Sequence, residues 1–73
     1  MNTKALKSKR ALYGIHQDEI AKKLGISSVS YSKKETGKVE FKRNEIEEIS
    51  KILNLSIEEV GEIFFNDNLP TRQ

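Results

Sequence analysis

Apolar residues recur three or four positions apart along almost the whole chain, with polar residues between them, which is helical spacing. The first stretch runs to about Tyr13, with Asn2 or Thr3 as its cap and Gly14 in the position that ends it. Leu6, Tyr13 and the Ala5/Lys9/Leu12 row are expected to turn partly inward. A second stretch, about Gln17 to Leu24, sets Ile20, Ala21 and Leu24 on one face and stops at Gly25. Ser27 or Ser28 caps a third, which reaches about Lys34 and is ended by Gly37. Residues 38–42 read as a loop with Phe41 tucked beneath it. A fourth helix spans roughly Arg43 to Leu53 and directs Ile46, Ile49, Ile52 and Leu53 inward. Ser56-Ile57-Glu58-Glu59 is a capping box, so a fifth helix starts at Ile57, with Ile57, Val60 and Phe64 as its inward stripe. Residues 1–65 form the expected domain, and 66–73 a short irregular tail.

Five short helices joined by brief links predict a compact all-α domain. Helices 2 and 3 meet across a very short turn holding Gly25, which is the geometry of a helix-turn-helix. Ala21 is small enough to let the third helix cross the second closely. At 73 residues the chain has room for one domain with a modest core. No apolar run approaches the length of a membrane span, and the first residues lack the apolar stretch of a signal peptide. The expected setting is therefore the cytoplasm.

Charge sharpens the picture. The net charge is +2, but residues 1–43 carry 11 Lys/Arg against 4 Asp/Glu, a net of +7, and residues 44–73 carry 2 against 7, a net of −5. A basic half of this kind fits a polyanion partner. Enzyme chemistry finds no footing. There is no cysteine, so the one histidine, His16, has no Cys–His pair to form. No phosphate loop, nucleophile elbow or dinucleotide fingerprint appears. The glutamates lack calcium-loop spacing and fall mostly on solvated faces. No metal, cofactor or small-molecule substrate is expected.

The segment Gln17-Asp18-Glu19-Ile20-Ala21-Lys22-Lys23-Leu24-Gly25-Ile26-Ser27, followed by Glu35-Thr36-Gly37-Lys38, resembles the Q-x-x-L-A-x-x-x-G-(I/V)-S and E-x-G-K signature of the Cro/CI-type family. These are the lambda-repressor-like regulators of temperate phages, and the likeness runs from about Lys4 to Phe64. It implies a five-helix DNA-binding fold and a transcription regulator of a lysis–lysogeny type switch in a bacterial host. Its partner would be double-stranded DNA, joined by a second copy or a phage repressor. It implies that Gln17 touches a phosphate, and that Ser27, Ser28, Val29, Ser32 and Lys33 enter the major groove. Lys38, Lys42 and Arg43 would follow the backbone, and Arg10 and Glu35 would form an ion pair tying helix 1 to helix 3.

The chain departs from that pattern in ways that open a second reading. Helix 3 offers mainly serine and valine, with Lys33 its only long donor. Tyr31 and Lys34 occupy inward positions usually held by branched apolar residues. Tyr31 is expected to keep its hydroxyl outward and Lys34 to snorkel. His16 replaces a capping threonine and weakens that cap, and Gly61 costs helix 5 about 1 kcal/mol relative to alanine. Val29, Ile63, Phe65 and Leu69 form a candidate partner surface, suited to an antirepressor or modulator that joins a larger repressor and binds DNA weakly alone.

Overall fold

The computed structural model describes residues 1–65. These form α1 (Thr3–Leu12), α2 (Gln17–Leu24), α3 (Ser28–Glu35), α4 (Arg43–Ile52) and α5 (Ile57–Phe64), with no strand among them. Leu69 and the expected tail lie outside the described residues.

Local chemistry sets most boundaries. The Ala5 N–H donates to Asn2 Oδ1 at 3.0 Å, so Asn2 caps α1. Ser27 caps α3 through the Ser30 N–H at 3.0 Å. Ser56 and Glu59 exchange bonds at 2.9 and 3.1 Å, and this capping box opens α5. Gly25 ends α2 in the left-handed region at φ 74°, which a side chain enters at a cost of about 1–2 kcal/mol.

The core gathers one face from each helix: Leu6, Ile20, Ala21, Tyr31, Ile49, Leu53, Ile63 and Phe64. Each large apolar side chain so enclosed contributes roughly 1.5–3 kcal/mol. The Phe41 ring sits 5.9 Å from that of Tyr31 and 5.4 Å, edge-on, from that of Phe64, bracing the loop before α4.

Four expectations are overturned. Ile57 is 91 % exposed, because the first residue past the Ser56 cap projects beyond the neighbouring helices. Ile63 takes its place in the core at 2 % exposure, where the Asn2 N–H donates to the Ile63 carbonyl at 2.7 Å and docks the start of α1 on the end of α5. Leu12 and Tyr13 are exposed at the end of α1 rather than turned inward. Tyr31 is wholly buried, hydroxyl included, because the Glu35 carboxylate waits one turn along to accept its proton at 3.0 Å.

Candidate nucleic-acid interface

The short turn Gly25–Ser27 swings α3 across α2, and these two helices pack more extensively than any other pair. The Gly25 N–H donates to the Lys22 carbonyl and the Ile26 N–H to the Ala21 carbonyl, closing the end of α2. Ala21, 1 % exposed, floors the crossing. Tyr31, Lys34 and Glu35 then point into the protein, while Ser28, Val29 and Lys33 face solvent with Ser32 half-buried between them. The helix thus shows solvent a face of hydroxyls, one branched apolar group and one ammonium. Ser27 also stands exposed, its oxygen already accepting the cap bond from Ser30.

One carboxylate orients this unit. Glu35 accepts from Arg10 Nε at 2.8 Å and Nη2 at 3.2 Å, from Tyr31 Oη at 3.0 Å and from Gln17 Nε2 at 2.5 Å. Arg10 spends a further donor on the Ile15 carbonyl at 3.0 Å. Residues from α1, α2 and α3 therefore meet on a single side chain. Burial pushes the Glu35 carboxyl up, but the bonds from Arg10, Gln17 and Tyr31 outweigh it and hold the group below its ordinary value. Burial and the neighbouring Glu35 charge drive the Tyr31 phenol well above its ordinary range, so it stays a donor. The Gln17 amide nitrogen donates to Glu35, which ties the start of α2 to this carboxylate.

A second buried pair fixes the other end of α3. Lys34 Nζ lies 2.7 and 2.9 Å from the two oxygens of Glu45, with both residues under one-tenth exposed. Lys34 does not snorkel, because the first turn of α4 presents this carboxylate within reach of its ammonium. The Lys42 N–H donates to Glu45 at 2.7 Å as well. Burial raises the Glu45 carboxyl, and Lys34 and that N–H together bring it below its ordinary value.

The cations expected at the interface are exposed. Lys22 and Lys23 close α2, and Lys33 closes α3. The Lys38 and Val39 N–H groups both donate to the Lys33 carbonyl, at 2.9 and 3.2 Å, so Lys38 is anchored beside the end of α3. Lys42 caps α4 and Arg43 begins it. Arg43 lies 3.7 Å from Glu47 in a pair so solvated that it stabilises little. Glu35 on α3 and Glu45 on α4 are turned inward and already paired, while Glu40 is exposed in the loop between Lys38 and Lys42.

Of the candidate partner residues, Val29 is 66 % and Phe65 42 % exposed, whereas Ile63 is in the core. Phe65 joins Phe41, Ile46 and Val60 along an open groove of about 750 Å³ between α4 and α5. Among the described residues no group of His, Asp or Glu is placed to hold a metal, and no helix is long and apolar enough to cross a membrane.

Sequence reasoning missed the Gln17 and Tyr31 bonds to Glu35 and the Lys34–Glu45 pair. A signal for the second was present: Glu45 shares the inward face of α4 with Ile49 and Ile52, and Lys34 shares that of α3 with Tyr31. Two opposite charges at inward positions of successive helices imply each other.

A family model described as helix-turn-helix matches residues 6–60, well over half of the chain. No curated protein and no solved structure matches it significantly. With that match and five helices among the described residues, the chain belongs to the Cro/CI-type helix-turn-helix family and carries the lambda-repressor-like fold of its DNA-binding transcription regulators.

Proposed function

We propose that the protein binds double-stranded DNA directly, laying the exposed face of α3 in the major groove, and that it regulates transcription in a phage lysis–lysogeny type switch. The observation that carries the DNA contact is the concentration of exposed cations on and near α3, of which Arg43 is held only in a solvated pair with Glu47. Lys22, Lys23, Lys33, Lys38, Lys42 and Arg43 surround it, while Glu35 and Glu45 are neutralised internally. Ser27, Ser28, Val29, Ser32 and Lys33 supply the base-edge contacts and Lys38, Lys42 and Arg43 the phosphate contacts. Gln17 serves by fixing α2 to Glu35. The lysis–lysogeny setting rests on the likeness of residues 17–27 and 35–38 to temperate-phage regulators.

The test is a fluorescence-anisotropy titration on the duplex upstream of the protein's own gene, against a scrambled duplex, at two salt concentrations. Selective binding is expected. Its log–log salt slope should be near −0.9 for each phosphate neutralised, so roughly −4 to −5 if five cations engage. A second reading is favoured by the shortness of the α3 side chains, of which only Lys33 reaches far. In it the protein modulates a larger repressor through a mixed complex. Weak and equal affinity for both duplexes, with tight binding to that repressor, would overturn direct regulation and establish the modulator.

A further inference from the structure

Along α5 runs a row of residues that the fold leaves outside its core. Ile57 and Gly61 on the helix and Phe65 at its cap recur at intervals of four, which sets them on one side. Ile57 and Phe65 are exposed. A Cβ built on Gly61 would meet nothing within 4 Å, so the packing of this chain does not require glycine there, although glycine weakens a helix relative to alanine. Two apolar side chains thus flank a bare stretch of backbone that another helix can approach closely. Phe65 also lines the groove between α4 and α5, which extends this row over Phe41, Ile46 and Val60.

The two banks of this surface differ in charge. Beside the row on α5 stand Glu58 and Glu62, both exposed, and that helix holds no cation. Across the groove α4 presents Arg43, Glu47 and Lys51. Arg43 and Glu47 face each other in a solvated pair, so Lys51 gives that bank its charge. The acidic bank repels DNA. It also repels the α5 of a second copy, which would bring its own Glu58 and Glu62 and no cation. A helix whose apolar stripe fills the groove, with Lys or Arg along the edge over α5 and an acid over Lys51, complements every group present. We infer that the α4–α5 face docks such an amphipathic helix of a different protein, seated on Ile57, Gly61 and Phe65. Apart from Arg43 this surface shares no residue with the proposed DNA contact, so the inference stands under either reading above.

The probe is a displayed library of helical peptides of about 20 residues, long enough to form a helix alone. Each has a fixed leucine stripe, and its flanking positions vary among Glu, Lys and Ser. Selection on the full chain should recover peptides with Lys along one flank and Glu on the other. The best is synthesised, labelled and titrated by anisotropy. Ile57→Ser should weaken its binding at least about tenfold, through the loss of one buried aliphatic side chain. Gly61→Leu should abolish binding by filling the notch. Lys51→Glu should weaken it about twofold to fivefold, and exchanging the peptide's Glu for Lys should restore it. Circular dichroism checks folding, and Ile57, outside the core, supplies a folded variant if Gly61→Leu does not fold. Recovery of no peptide, or of peptides without that order of charges, overturns the assignment. So does affinity that Ile57→Ser leaves unchanged, which puts the peptide elsewhere. A dimer of the chain alone, seen by sedimentation and separated by Ile57→Ser, would make a second copy the occupant and overturn the different partner.

Discussion

Removing Lys34 should harm the protein more than removing Lys34 and Glu45 together. Lys34→Met leaves the Glu45 carboxylate buried with only the Lys42 N–H at 2.7 Å as partner. Its second oxygen, which now accepts from Lys34 at 2.9 Å, would face apolar surroundings. Breaking a buried pair in this way costs about 3–5 kcal/mol. A domain of this size holds roughly 4–11 kcal/mol of stability in all, so the single variant should melt more than about 12 °C lower. Lys34→Met with Glu45→Leu removes both ions and both desolvation costs. Only the bond to the Lys42 N–H is then lost, about 1 kcal/mol, and added apolar packing offsets it. The double variant should lie within about 2 kcal/mol of the parent. Urea unfolding followed by far-ultraviolet circular dichroism gives all four free energies of the cycle, and the expected coupling is at least 2 kcal/mol. Additive losses, with coupling under about 0.5 kcal/mol, would show that the two charges behave as solvated surface groups and would refute the reasoning.

Acid should destabilise the fold. The Glu35 and Glu45 carboxyls lie below their ordinary 4.5 in the folded protein, so the unfolded chain takes up their protons first. Their stabilisation is fully present above that value and is lost as pH falls through the folded values; a melting temperature that stays flat or rises below pH 4.5 would contradict this. Arg10→Ala should cost about 3 kcal/mol by stranding Glu35, and should weaken DNA binding through the tilt of α2 and α3. Denaturation and anisotropy measure the two effects, and an intact melting curve would remove Glu35 as the organising group. Gly25→Ala should cost about 1–2 kcal/mol from its left-handed backbone, since its Cβ would meet nothing within 4 Å; a neutral result would show that the turn relaxes. Ile57→Ser should change stability by less than about 0.5 kcal/mol, and a loss above 2 kcal/mol would place Ile57 in contact with the core.

The elements were readable because their signals are local. Asn2, Ser27 and Ser56 cap helices through bonds that span three residues, and Gly25 marks a backbone angle. The inward face of α4 followed from Ile49 and Leu53. What escaped depends on residues distant in sequence. Tyr31 is inward because Glu35 is there to satisfy it, and Glu35 is held by Arg10, 25 residues away. Periodicity alone chose Ile57 over Ile63 on α5, since it cannot say that α1 ends its approach at Ile63. The exposed cations of the candidate site could be named from the sequence, whereas the inward commitment of Gln17 needed the fold.

The hydrogen bond from Asn2 to Ile63 closes a circuit of about sixty residues, whereas the α2–α3 crossing closes across a turn of three. Ring-closure entropy grows by about 0.6 kcal/mol with each doubling of the enclosed length. On ring-closure entropy alone, the seam between α1 and α5 is the costlier of the two to close. Opening there leaves α2, α3 and the loop of Lys38 still connected. The fold of the described residues is thus held shut where the start of α1 meets the end of α5.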